Sequence, residues 1–144
     1  MYKIKLKIVT PEKVIYQNDQ VEQVSIPTST GEITVLPNHI PLVSILKSGG
    51  MTFKENGQEN YFAISGGFLE IKEHSEVIIL ADNVERAHEI NLEKAQEAKA
   101  RAEEQMNAIK NREDVDFARL QAVIDREANR LRVGNKYRHF KKSE

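Results

Sequence analysis

Turn-forming residues stop abruptly just short of the middle of this chain. All four prolines, Pro11, Pro27, Pro37 and Pro41, lie before Leu42, and every glycine except Gly134 lies before Phe68. Proline fixes φ and removes a backbone donor, while glycine opens the left-handed region, so their joint use marks short elements joined by sharp turns. Their absence from Phe68 to Val133 leaves room for long helix. The chain therefore follows two structural grammars in succession, and 144 residues suit one domain or two small ones.

The first grammar is that of strands. Tyr2, Ile4, Leu6 and Ile8 alternate with Lys3, Lys5 and Lys7, the period-2 pattern of a strand with one wet face. Val24 and Ile26, Ile33 to Leu36, and Leu42 to Leu46 predict further short strands. Asn56-Gly57 sits between Met51-Thr52-Phe53 and Tyr61-Phe62-Ala63-Ile64; both turn residues tolerate positive φ, which predicts a hairpin. Ser65-Gly66-Gly67 is expected to separate that strand from Phe68 to Ile71. Val77-Ile78-Ile79-Leu80 is apolar throughout, which predicts a strand buried on both faces. Strands at this spacing predict an antiparallel β-sandwich or flattened barrel over residues 1–84.

The second grammar is helical. Ala95, Ala98, Ala102, Met106 and Ile109 recur every three or four residues, as do Phe117, Leu120, Ile124, Ala128 and Leu131. Each set forms one apolar stripe. Asn111-Arg112-Glu113-Asp114 breaks the pattern, with Asp114 as a cap for the second helix. The prediction is an antiparallel two-helix hairpin over 85–134, followed by a basic, polar, frayed tail over 135–144. Two starts compete for the first helix. Asp82 and Glu85 form a capping-box pattern, and Asn91 offers a later cap; a short turn before the long helix reconciles them. Stripes made mostly of alanine give a hairpin of marginal stability unless it docks on something.

No catalytic constellation accompanies these elements. Cysteine is absent, which removes a thiol nucleophile and cysteine zinc sites. Ala63 stands where a Gly-x-Ser-x-Gly elbow around Ser65 needs glycine. His39, His74, His88 and His139 have no metal-ligand spacing, and no phosphate-binding Gly-Lys-Ser/Thr loop occurs. His39 lies between two prolines without an acidic or hydroxyl neighbour, so a structural role is expected. The net charge of −1 conceals an asymmetry: every arginine lies at or beyond Arg86, and 130–142 is basic. Such an end suits an acidic protein surface, lipid or nucleic acid, or is simply solvated. It lacks the stacking aromatics of a nucleic-acid module apart from Tyr137 and Phe140. No apolar run approaches the ~18 residues of a membrane span, and the start lacks a secretory leader. The residues alone thus predict a non-enzymatic sandwich with a helical hairpin, which a protein–protein adaptor could also use.

The order of motifs goes further. Ile8-Val9-Thr10-Pro11, Gly31-Glu32-Ile33 through Pro37-Asn38-His39-Ile40-Pro41-Leu42, Ser65-Gly66-Gly67-Phe68-Leu69-Glu70, Ala81-Asp82 with Glu85-Arg86-Ala87, and Asn129-Arg130-Leu131-Arg132-Val133 follow one another along the chain. In that order they resemble the epsilon subunit of F-type ATP synthases from about Ile4 to Val133. The resemblance implies a non-catalytic central-stalk subunit at the cytoplasmic face of the membrane, peripheral to it. Such a subunit couples proton flow to ATP synthesis. Its implied partners are the gamma subunit, the ring of c subunits and, through the helices, the alpha/beta catalytic head. Thr30, Gly31 and Glu32 would face the ring and His39 the gamma shaft. Arg119, Arg126, Arg130 and Arg132 would meet acidic catalytic subunits when the hairpin extends and inhibits hydrolysis. No cofactor or metal is implied. ATP enters only as a regulatory ligand, through a motif of Ile or Leu, Asp, two variable residues and Arg-Ala. The matching stretch, Ile90-Asn91-Leu92-Glu93-Lys94-Ala95, has Asn91 for Asp and Lys94 for Arg, while Glu85, Arg101, Arg126 and Arg130 match. Lys94 lacks the planar fork of arginine, so this site is degenerate; Asn91 as a cap and Lys94 as a solvated residue is the alternative.

Overall fold

The computed structural model describes residues 2–109 and 115–142. The chain divides into two compact units, Met1–Arg86 and Ala87–Glu144.

The first unit holds seven strands: β1 (Ile4–Val9), β2 (Val14–Thr28), β3 (Gly31–Val35), β4 (Leu42–Ile45), β5 (Gly49–Glu55), β6 (Gln58–Lys72) and β7 (Glu76–Arg86). Their order is β1-β7-β6-β5-β2-β3, and β1 also pairs with β2, so the sheet closes on itself as a flattened barrel. All pairings are antiparallel except β1 with β7, which run parallel. Two long strands make the closure possible. The start of β2 pairs with β1 and its end with β5 and β3. Likewise β6 pairs with β5 before its bend and with β4 after it.

Three local expectations change. Ser65-Gly66-Gly67 does not end a strand. It lies inside β6, with Gly66 and Gly67 at φ +68° and +112°, and the register with β7 is the same on both sides, Ser65 opposite Asn83 and Gly67 opposite Ala81. Glycines at positive φ let a strand bend without ending it. Asp82–Glu85 does not cap a helix; it continues β7, pairing with β6 as far as Arg86. β7 is not buried on both faces either. Val77 and Ile79 point into the core, whereas Leu80 is 46% exposed. The Asn56-Gly57 hairpin is present, with φ of +52° and +76°.

Alternation fills the core from β1 (Ile4, Leu6, Ile8), β2 (Val21, Val24, Ile26) and β7 (Val77, Ile79), with Phe53 and Phe62 as the largest contributors. The Phe53 and Phe62 rings lie 5.5 Å apart, and Tyr16 lies 4.7 Å from Phe53. The Arg86 guanidinium lies 5.3 Å above the Phe62 ring. This cation–π contact holds the last residue of β7 against the barrel.

The second unit starts with a 3-10 turn (Ala87–Glu89), then α1 (Leu92–Asn107) and α2 (Val115–Lys142). Asn91 caps α1: its side-chain oxygen accepts the Lys94 amide at 3.0 Å. A short turn followed by the long helix is thus what forms. Ala95, Ala102 and Leu120 are buried between the helices. Leu92 at the start of α1 lies beside Gly134 near the end of α2, so the pair is antiparallel. Asn111 to Asp114, the expected break and cap, fall outside the described residues. The tail expected to fray from 135 is instead helical to Lys142. No proline or further glycine follows Gly134 to stop it.

Candidate functional site

The Thr30–Glu32 turn is fixed by its neighbours. Buried Thr28 donates its hydroxyl to the Gly31 carbonyl at 2.5 Å, while Thr30, Gly31 and Glu32 are exposed. The second loop, Leu36 to Pro41, is held at Asn38, whose amide donates to the buried Ser75 hydroxyl at 2.8 Å. His39 Nδ1 lies 2.6 Å from its neighbour's carbonyl, Ile40 O. A carbonyl only accepts, so Nδ1 carries the proton. His39 thereby stiffens the loop.

A different surface emerges from register. Ile45, Phe68, Leu80 and Val9 stand opposite one another on β4, β6, β7 and β1. All four point away from the core. Ile45 is 57% exposed, Phe68 55% and Leu80 46%, and Val43, one position along, is 68% exposed. Leu36 and Ile40, in the adjoining loop, are also exposed. A contiguous apolar row four strands wide marks an interaction surface, unlike scattered exposed residues. Sequence reasoning took Val77–Leu80 as doubly buried and so missed it. The clue was present, since apolar residues at both parities need two covers, and the core supplies only one.

On α2 the arginines proposed for partner or nucleotide contacts are tethered along their own helix. Glu127, only 4% exposed, lies 3.5 Å from Arg126 Nε and 2.8 Å from Arg130 Nη1. Arg132 donates to the Asn129 side chain at 2.7 Å, and Arg119 pairs with Asp116 at 3.7 Å. On α1, the Asn91 oxygen is taken up by its cap, and Lys94 and Arg101 are exposed. Ile90 and Ala95 are buried. Glu85 belongs to the barrel, on β7 opposite Ala63.

Comparison with known proteins decides the family. The description "ATP synthase, Delta/Epsilon chain, beta-sandwich domain" matches residues 3–87, and "ATP synthase, Delta/Epsilon chain, long alpha-helix domain" matches 88–135. The chain belongs to the ATP synthase epsilon-chain family. It is 43% identical to the ATP synthase epsilon chain of Nitratidesulfovibrio vulgaris over 89% of this chain and 92% of that one. It is 41% identical to that of Bacillus velezensis over 92% and 98%. Among solved structures, a chain of the Euglena gracilis mitochondrial ATP synthase OSCP/F1/c-ring assembly matches with TM-score 0.77 at 22% identity, covering 90% of this chain and 79% of that one. A chain of the Tetrahymena thermophila mitochondrial ATP synthase central stalk/c-ring matches with TM-score 0.60 at 13% identity, covering 94% and 96%. These structural matches establish the fold. Family membership sets aside an unrelated adaptor that happens to share the architecture.

Proposed function

We propose that this chain is a non-catalytic central-stalk rotor subunit of an F-type ATP synthase. Its barrel, 1–86, seats against the gamma subunit and the c-ring at the cytoplasmic face of the membrane. Its helical unit restrains ATP hydrolysis in the catalytic head. No helix among the described residues is long and apolar enough to cross a membrane, so attachment would come through the ring.

The observation that carries this reading is the outward row Ile45–Phe68–Leu80. Fully burying a large apolar side chain is worth about 1.5–3 kcal/mol. With roughly half of each already covered, the three together offer about 3 kcal/mol to a partner, worth more than a hundredfold in affinity for a shaft subunit that also makes other contacts. The ring contact falls to the exposed Thr30–Glu32 turn, whose shape Thr28 sets. For the helices, a rise of ~1.5 Å per residue gives α1 a length of about 24 Å and α2 about 42 Å. Opened end to end they reach about 65 Å, far enough to run from stalk to head. Arg119, Arg126, Arg130 and Arg132 then meet acidic surface, a contact that weakens with salt where it is exposed.

Two measurements test the two halves. Phe68→Lys with Leu80→Glu should leave thermal stability nearly unchanged, because both side chains are half exposed and the new charges opposite one another are of opposite sign, and should weaken binding to purified gamma subunit at least tenfold. Unchanged binding would move the gamma interface elsewhere. Deleting 91–144 should raise ATP hydrolysis by the assembled complex with assembly intact; replacing the four arginines by alanine should act the same way, less strongly. Unchanged hydrolysis in the deletion, measured free of inhibitory Mg-ADP, would leave the helices a purely structural role.

A further inference from the structure

The far end of α2 lies beyond the residues that the family description matches, which stop at 135, and the helix runs on to Lys142. Two contacts, Gly134 just inside that limit and Tyr137 just beyond it, tie this stretch to the start of the helical unit. Gly134 is buried, and a Cβ there would lie 2.5 Å from Leu92 Cδ2 and 3.4 Å from Ile90 Cγ2. The α2 backbone therefore rests on the side chains that open α1. One turn on, the Tyr137 ring lies 6.5 Å from the His88 ring, tilted by 47°. His88 sits in the 3-10 turn, against which α2 packs. Glycine inside a helix is about 1 kcal/mol less favourable than alanine, and close approach is the physical reason to keep it there.

The degenerate nucleotide motif, Ile90 to Ala95, follows directly on that turn. Asn91 is engaged by its own cap, and Arg126 and Arg130 lie on Glu127. A nucleotide clamp is thus poorly equipped, while a protein clamp on this segment is built. We propose that Gly134 and Tyr137 form a latch that grips the turn from Ala87 to Leu92 and holds the hairpin folded without nucleotide. This inference rests on the reading that the hairpin opens to inhibit hydrolysis. The latch sets how often it does so. Its grip is steric and aromatic, so it is insensitive to ATP and weakly sensitive to salt.

Hydrogen exchange on the full chain, without nucleotide, tests the latch apart from inhibition. Tyr137→Ala should speed exchange of the α1 amides about 3- to 10-fold, the range set by loss of one aromatic pair. Gly134→Leu, which forces Leu92 and Ile90 away, should speed it more, and exposed Lys136→Ala should change it less than twofold. Far-ultraviolet circular dichroism checks that α2 persists; because Tyr137 is only half buried, Tyr137→Ala decides the matter even if Gly134→Leu does not fold. Exchange in Tyr137→Ala within twofold of the parent overturns the latch, whatever hydrolysis does. Faster exchange with deeper inhibition in the assembled complex supports both readings. Faster exchange with unchanged hydrolysis keeps the latch and refutes the inhibitory role.

Discussion

Replacing Gly67 by alanine should damage the barrel far more than the same change at Gly57, although both glycines have positive φ. Gly67 sits at φ +112° inside β6, and a Cβ there would lie 2.0 Å from the Leu80 carbonyl oxygen and 2.8 Å from the Ala81 Cα. Both atoms belong to the β7 backbone and cannot swing aside. The conformation itself costs an alanine about 1–3 kcal/mol. Relieving the clash means separating β6 from β7 locally, with loss of about one ladder bond at roughly 1 kcal/mol and disturbed packing worth another 1–3. The total, about 3–7 kcal/mol, is a large share of the 5–15 kcal/mol typical of a domain. Gly57 has φ +76° with nothing within 4 Å, so only the conformational cost remains, about 1–2 kcal/mol. Urea unfolding of the full chain, followed by hydrogen exchange of β6 and β7 peptides, reads both variants on the same strands. Equal losses at the two positions would refute the claim that backbone contact with β7 makes the bend of β6 depend on glycine.

A fragment ending at Arg86 should melt several degrees above one ending at Val84. The shorter piece loses the Phe62–Arg86 and Ala63–Glu85 pairs and the Arg86 cation–π contact, and thermal melts of the two compare them directly. The Tyr16 phenol, partly buried and donating to Glu55, has its pKa pushed up from 10.0 to about 12. Its contribution to stability is therefore complete below pH 10 and lost as pH rises toward 12, because the unfolded chain gives up that proton first. Denaturation curves of Tyr16→Phe should fall less steeply than the parent's across that window. Calorimetric titration with ATP should show weak or no binding by the parent and a gain in the Asn91→Asp, Lys94→Arg double variant; no gain would refute the motif argument.

Patterns with one period and one partner were legible in the sequence. β1 alternates cleanly, Asn56-Gly57 makes its hairpin, and Asn91 caps α1. What stayed hidden depended on tertiary choice. Gly66-Gly67 reads as a break because a bend within a strand and a turn between strands both use positive φ; only pairing in one register on both sides makes β6 one strand. The first half of β2, Val14 to Gln20, is mixed in polarity because it curls over β1 with much of its surface wet. Asp82 to Glu85 carries the letters of a capping box, yet strand pairing with β6 takes its amides. The apolar row was misread for a related reason. Periodicity reports that a face is covered, and cannot distinguish cover by the same chain from cover by another.

The tethering of the arginines constrains how the helices can act. Any acidic partner that recruits Arg126 or Arg130 competes with Glu127, a buried carboxylate that would be left without its cations. Stranding a buried charge is strongly unfavourable, so those two side chains are held in the folded unit and resist transfer. Arg119 differs: it and Asp116 are both about two-thirds exposed, at 3.7 Å, and an exposed pair of this kind is worth roughly 0–1 kcal/mol. Its transfer to a new carboxylate is nearly free. In the proposed contact with an acidic surface, Arg119 would therefore transfer more readily than Arg126 and Arg130, which would follow only once new contacts outweigh the loss at Glu127. If the hairpin opens as proposed, that order would run from the start of α2 toward its far end, where Gly134 and Tyr137 would be the last to let go.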